Sequence, residues 1–200
     1  MKNFYIILIL FLSFTIYSCA KKSDSSSSSS TTTEVEGTWV VSCYASGNYY
    51  LIKTIAVTGT SVVHKDEYHS DSSCATDYET WEVTFSSLSI GEAQTFATYG
   101  SSGGSGHKFT MTLSTNTFTP HTSGMVSNDN TNSWCGFSGW EINTATSIAG
   151  KTCGSNDYWA KDTAIYGKYI LDGTKLMPKI TSGSHPSDVS SDTSNTYVKQ

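Results

Sequence analysis

The sequence predicts an all-β domain. Two observations lead there: apolar residues recur with a period of two along many short runs, and no window of twelve or more residues after Cys19 carries the i, i+3, i+4, i+7 apolar face of a helix. A third is composition. Ser, Thr, Gly, Asn and Tyr occupy much of the chain, charged residues only 14%, and such a mixture suits strands and turns.

The runs follow in order. Trp39 to Tyr44 and Tyr49 to Val57 are apolar on both faces, as in more buried strands. Thr58-Gly59-Thr60 reads as a turn into a run from Ser61 to His69. Trp81, Val83 and Phe85 alternate with Thr80, Glu82 and Thr84, and Phe109, Met111 and Leu113 alternate with Thr110 and Thr112, each a half-buried strand. Thr95 to Tyr99 is strand-like too. Tyr166 to Leu171 meets Asp172-Gly173 and then Thr174 to Met177, the strongest hairpin signal in the chain. Thr196 to Lys199 reads as a closing strand. The best helical candidate is a short turn around Asn143 to Ser147. At five or six residues per strand plus turns, about eight to ten strands fit, as a barrel or a β-sandwich.

The N-terminus is a separate matter. Lys2 precedes an almost unbroken apolar run from Phe4 to Tyr17, the pattern of a secretory signal. Ile16-Tyr17-Ser18-Cys19 then resembles the bacterial lipobox. That resemblance implies cleavage after residue 18, acylation of Cys19, for example by palmitate, and anchoring to a membrane through that lipid; Ala20 after the Cys implies the outer membrane by the same analogy. The alternative is an uncleaved anchor, but Asn3 to Ala20 barely reaches the ~20 apolar residues a span needs. Lys21 to Thr33 reads KKSDSSSSSSTTT. It has no apolar residue to offset the entropy of ordering, so it is expected to be a flexible tether. The division expected is a signal peptide over 1–18, a lipidated Cys and tether over 19–33, and one all-β domain over 34–200.

Cys43, Cys74, Cys135 and Cys153 remain, an even number in an exported chain, which implies disulfides in one of three pairings. Cys43–Cys74 and Cys135–Cys153 are favoured because local loops close most easily, each contributing about 3–4 kcal/mol. A zinc site needs close pairs such as C-x2-C, and there are none.

Gly37-Thr38-Trp39 at the head of the first strand resembles the lipocalin G-x-W motif. The wider pattern is similar to small lipocalin-like bacterial lipoproteins of unknown activity: Trp39-x3-Cys43, then Tyr68, Asp71 and Cys74, then Cys135-Gly136-Phe137-x2-Trp140, then Gly150-Lys151-Thr152-Cys153. The resemblance spans residues 36–200 and implies an antiparallel up-and-down barrel whose lumen holds a small hydrophobic ligand.

Motifs suggestive of catalysis fail on context. Ala145-x4-Gly150-Lys151-Thr152 fits a relaxed phosphate loop, but Cys153-Gly154-Ser155-Asn156 does not open a helix. Gly100-Ser101-Ser102-Gly103-Gly104 satisfies G-x-S-x-G between two strand-like flanks, where a hydrolase elbow needs a helix after the Ser. In the stretch from His64 to Asp71, His64 and Asp66 share one strand face and Glu67, His69 and Asp71 the other, a weak divalent-metal arrangement beside its reading as a solvated rim. His107, His121 and His185 are isolated and expected at the surface. Trp134, Trp140 and Trp159 are expected to cluster at the second disulfide. All twelve basic residues are Lys, and the net charge of −5 argues against nucleic acid as a partner. No cofactor or resident metal is expected, and no enzymatic activity.

Three functions are weighed. A ligand-binding barrel predicts an apolar cavity. A non-catalytic envelope or surface interaction protein predicts a filled core and an exposed aromatic patch. A hydrolase needs a convergent Ser, His and Asp.

Overall fold

In the computed structural model, which describes residues 33–96, 104–187, 189 and 193–200, one antiparallel sheet closes on itself. The first five strands are β1 (Gly37–Ser46), β2 (Tyr49–Thr58), β3 (Ser61–His69), β4 (Asp77–Phe96) and β5 (Gly104–Pro120). A helix α1 (Ser123–Thr131) and three two-residue strands follow: β6 (Thr146–Ser147), β7 (Thr152–Cys153) and β8 (Asn156–Asp157). The chain then returns through β9 (Ala164–Asp172), β10 (Lys175–Ser182) and β11 (Tyr197–Lys199). Strand order is β4-β3-β2-β1-β11-β10-β9-β5, and β4–β5 pairing closes the ring. This is an eight-stranded up-and-down barrel rather than a sandwich, with β6 added outside the ring and β7–β8 a separate hairpin.

Alternation places the core. Trp39 and Val41 of β1, Leu51, Ile55 and Val57 of β2 and Val62 of β3 are all buried, as period-two strands with one face inward require. Trp39 is 1% exposed; its Nε1 donates to Val35 O at 2.8 Å, and Lys199 Nζ lies 5.1 Å from its ring centroid. Gly173 adopts φ 58°, the left-handed conformation that the tight β9–β10 turn needs.

Cys43 falls where the β1–β2 register slips between Val41 and Tyr44, and is bonded to Cys74 across a Cα–Cα distance of 6.1 Å. The Cys74 loop is held by Asp71, which accepts hydrogen bonds from the Ser73 hydroxyl and from the Thr76 N–H at 2.7 Å. These bonds, the Ser73 hydroxyl first among them, hold the Asp71 carboxyl well below its ordinary range. Cys135 is bonded to Cys153.

The segment between β5 and β9 builds a second apolar cluster. Phe118 of β5, Cys135, Trp140, Ile148 and Cys153 form it, with Trp81 of β4, Trp134 and Tyr158 packed against it. Trp134 lies 4.7 Å from Phe118 and 5.2 Å from Trp140, ring centre to ring centre. Trp159 does not join this cluster; it packs against the barrel core. A third cluster joins Phe96, Ile170, Met177 and Val189. Among the described residues every strand, both disulfides and all three clusters lie between Val35 and Lys199.

One local expectation changes. Residues 143–147 are not helical: Asn143 sits at φ 58°, and Thr146–Ser147 pair with β5 as β6. The helix lies instead at Ser123–Thr131, where the Thr122 hydroxyl accepts from Met125 N at 3.2 Å, an N-cap that satisfies an orphan first-turn donor. Among the described residues no helix is long and apolar enough to cross a membrane. The signal segment, Cys19 and the tether through residue 32 lie outside the described residues, as do Gly100 to Gly103 of the G-x-S-x-G stretch.

Candidate ligand-binding cavity

The barrel is not filled by its own side chains. A cavity of about 310 Å³ lies inside it. Its walls are Ile55 and Val57 from β2, Val62 from β3, Phe85 and Leu88 from β4, Phe109 and Met111 from β5, and Leu176 and Ile180 from β10. Lipid-like or aromatic ligands bury well against such a surface, at roughly 25 cal/mol per Å² of apolar area removed from water.

Glycines shape the wall beside β9. Gly167 pairs with Phe109 across the β5–β9 ladder, and a Cβ there would meet Phe109 Cζ at 2.1 Å. Absence of a side chain at 167 therefore lets the Phe109 ring lie across the strand. A Cβ on Gly106 would meet the Tyr169 carbonyl oxygen at 2.0 Å.

Polar groups line the remaining wall. Lys53 Nζ donates to Asn195 Oδ1 at 3.3 Å. His64 Nε2 lies 3.1 Å from the Tyr197 hydroxyl and 3.1 Å from Asp66 Oδ1. Burial, with Asp66 adding to it, pushes the Tyr197 phenol far above its ordinary pKa, so it stays protonated. Val35, 4% exposed, also lines the cavity. The preceding Glu34 carboxylate accepts from the Tyr169 hydroxyl at 2.6 Å and lies 3.2 Å from His107 Nε2. The His107 ring stacks on Tyr169 with centroids 5.4 Å apart. The segment entering β1 is thereby fastened to β5 and β9.

A second depression, of about 320 Å³, lies between β4 and α1 and is lined by Tyr78, Glu79, Trp81, Met125, Asp129 and Trp134 among others. Glu79 accepts from Trp81 Nε1 at 2.8 Å. Burial raises the Glu79 carboxyl above its ordinary pKa, and Asp129 adds to the shift. Tyr68 nearby is pushed up to about 12, by burial first and then by Asp66 and Glu79.

The sequence candidates separate in space. His64 and Asp66 do meet, on the inner face of β3. Glu67 instead pairs with Lys65 at 2.8 Å, His69 turns to Asp77 at 3.3 Å, and Asp71 caps its own loop. The register slip opposite Tyr68 and His69 lies on β4 and brings Asp77 across from His69, while Asp71 lies beyond the end of β3. Among the described residues no three His, Cys, Asp or Glu side chains converge. Gly150-Lys151-Thr152 runs into the β7–β8 hairpin, with no helix behind it. None of the three outlying histidines is isolated. His107 is bound as above, His121 bridges Thr80 Oγ1 at 2.8 Å and Asn143 Oδ1 at 2.7 Å, and His185 meets Gly167 O at 3.0 Å.

Lys53 was missed, although a signal for it exists. It shares an inward face with Leu51, Ile55 and Val57, where a lysine is out of place in a core strand. No family model and no curated protein matches the chain.

Proposed function

We propose that the chain is an extracytoplasmic lipoprotein, tethered to the outer membrane through lipid on Cys19, whose barrel binds a small hydrophobic ligand without transforming it. The observation that carries the binding reading is the cavity of about 310 Å³, walled by apolar side chains from β2, β3, β4, β5 and β10. Ligand sites are concave, largely apolar and furnished with a few fixed polar groups, and their volumes begin at roughly 300 Å³. An interaction protein with a filled barrel would instead expose an aromatic patch. The large hydrophobic side chains exposed among the described residues are Ile142 and Val198, neither of them aromatic.

The reading is tested with N-phenyl-naphthylamine, a neutral dye whose emission rises in apolar surroundings. Residues 33–200 are expected to give a saturable, blue-shifted signal that Val57→Phe, placing a ring in the cavity, weakens about tenfold or more. A signal that is absent, or unchanged in the variant, contradicts a lumen site.

A further inference from the structure

We infer that the ligand is an anion-headed amphiphile, a single alkyl chain ending in a carboxylate or similar monoanion. This rests on the ligand-binding reading above and adds the chemistry of the head.

Lys53 is the formally charged residue on an inward strand face of the cavity; Lys179, also at its wall, shares the β10 face of Met177, and no Asp or Glu lines the cavity. A molecule whose net charge is −5 thus presents a lysine to its apolar lumen. Lys53 reaches inward from β2, on the face it shares with Ile55 and Val57. Its contact with Asn195 is long, at 3.3 Å, to a neutral acceptor, and it uses one of the three ammonium donors. A carboxylate at this end would replace a weak neutral contact with a charge-assisted one, roughly twice as strong. Asp66, the nearby carboxylate on the cross-strand partner of Lys53, lies against His64 at 3.1 Å. Asn195 and the Tyr197 hydroxyl add a hydrogen-bonding rim to the same wall. An alkyl chain then occupies the side bounded by Val62, Phe85, Phe109 and Met111. A cationic head would meet like charge at Lys53, and a neutral one would gain no charge-assisted bond.

Calorimetric titration of residues 33–200 with decanoate, decanol and decyltrimethylammonium separates these heads at equal chain length. Decanoate is expected to bind about tenfold or more tightly than decanol, and the cation most weakly. Lys53→Gln is expected to bring decanoate down to the affinity of decanol while leaving decanol unchanged, and Lys53→Arg to keep the preference. An unchanged melting temperature shows that each variant folds. Equal binding of decanoate and decanol, a preference for the cation, or a preference that survives Lys53→Gln overturns the anionic head while leaving an apolar site standing. If none of the three binds, the ligand-binding reading fails with it.

Discussion

The Phe109 ring occupies the space where a side chain of Gly167 would stand: a Cβ there would lie 2.1 Å from Phe109 Cζ. Because Phe109 also lines the cavity, this cross-strand pair couples barrel closure to the shape of the lumen. Gly167→Ala is expected to displace the ring and cost about 1–3 kcal/mol, as overpacking does. Gly106→Ala meets a backbone carbonyl, Tyr169 O, at 2.0 Å. The backbone yields less than a ring, so its loss is expected to exceed that of Gly167→Ala. Urea denaturation of both variants checks the order. Adding Phe109→Ala to Gly167→Ala is expected to remove much of the penalty of the glycine change, whereas additive losses would show that the two residues do not interact.

The two disulfides close loops of similar size, with sequence separations of 31 and 18. Replacing either pair by alanines is expected to lower stability by about 3–4 kcal/mol, or roughly 5–15 °C in melting temperature for a domain of this size. Calorimetry checks it. Loss of Cys135–Cys153 is expected to loosen the Trp134, Trp140 and Phe118 cluster, read as a near-ultraviolet dichroism change that the Cys43–Cys74 variant lacks.

Glu79 gives a pH dependence of unusual sign. Burial raises its carboxyl above the unfolded value, so the folded state favours the protonated form. The stability this contributes is full below the unfolded value near 4.5 and is lost as pH rises through the raised folded value. Glu79→Gln keeps an acceptor for Trp81 Nε1 and removes the charge. It is expected to stabilise the barrel near neutral pH and to have no effect well below pH 4.5. Thermal melts across that range measure it; a gain that grows toward acid would contradict the assignment.

Much of the barrel was legible because period-two runs report directly on which residues face inward. Phe85, Phe109 and Leu113 were placed on strand faces from alternation and are buried. Gly59 and Gly173, marked as turns, both adopt positive φ. Helix α1 was not legible: Ser-Gly-Met-Val-Ser-Asn-Asp-Asn-Thr has no apolar stripe, and its sequence mark is the Thr122 cap. The 20-residue length of β4 was hidden by Ser86 to Ser89, where the register slips and Ser87 takes φ 57°. The cavity was beyond sequence reasoning for another reason. Its volume depends on which inward side chains meet across a closed ring, and strand periodicity is silent about partners on opposite walls.

Anchoring is checked by metabolic labelling with palmitate. The full chain is expected to incorporate label and sediment with outer membranes, and Cys19→Ala to lose the label and leave the membrane fraction. Label in the variant, or membrane association without Cys19, would contradict the anchor.

The most direct test of the central claim is a native mass spectrum of residues 33–200 purified without detergent from an oxidising periplasm, beside a denatured spectrum of the same sample. A barrel that takes a small ligand is expected to carry a discrete extra mass that disappears on denaturation and falls in occupancy in Val57→Phe. A domain that is bare after gentle purification, and stays bare when a ten-carbon fatty acid is added in excess, would contradict it.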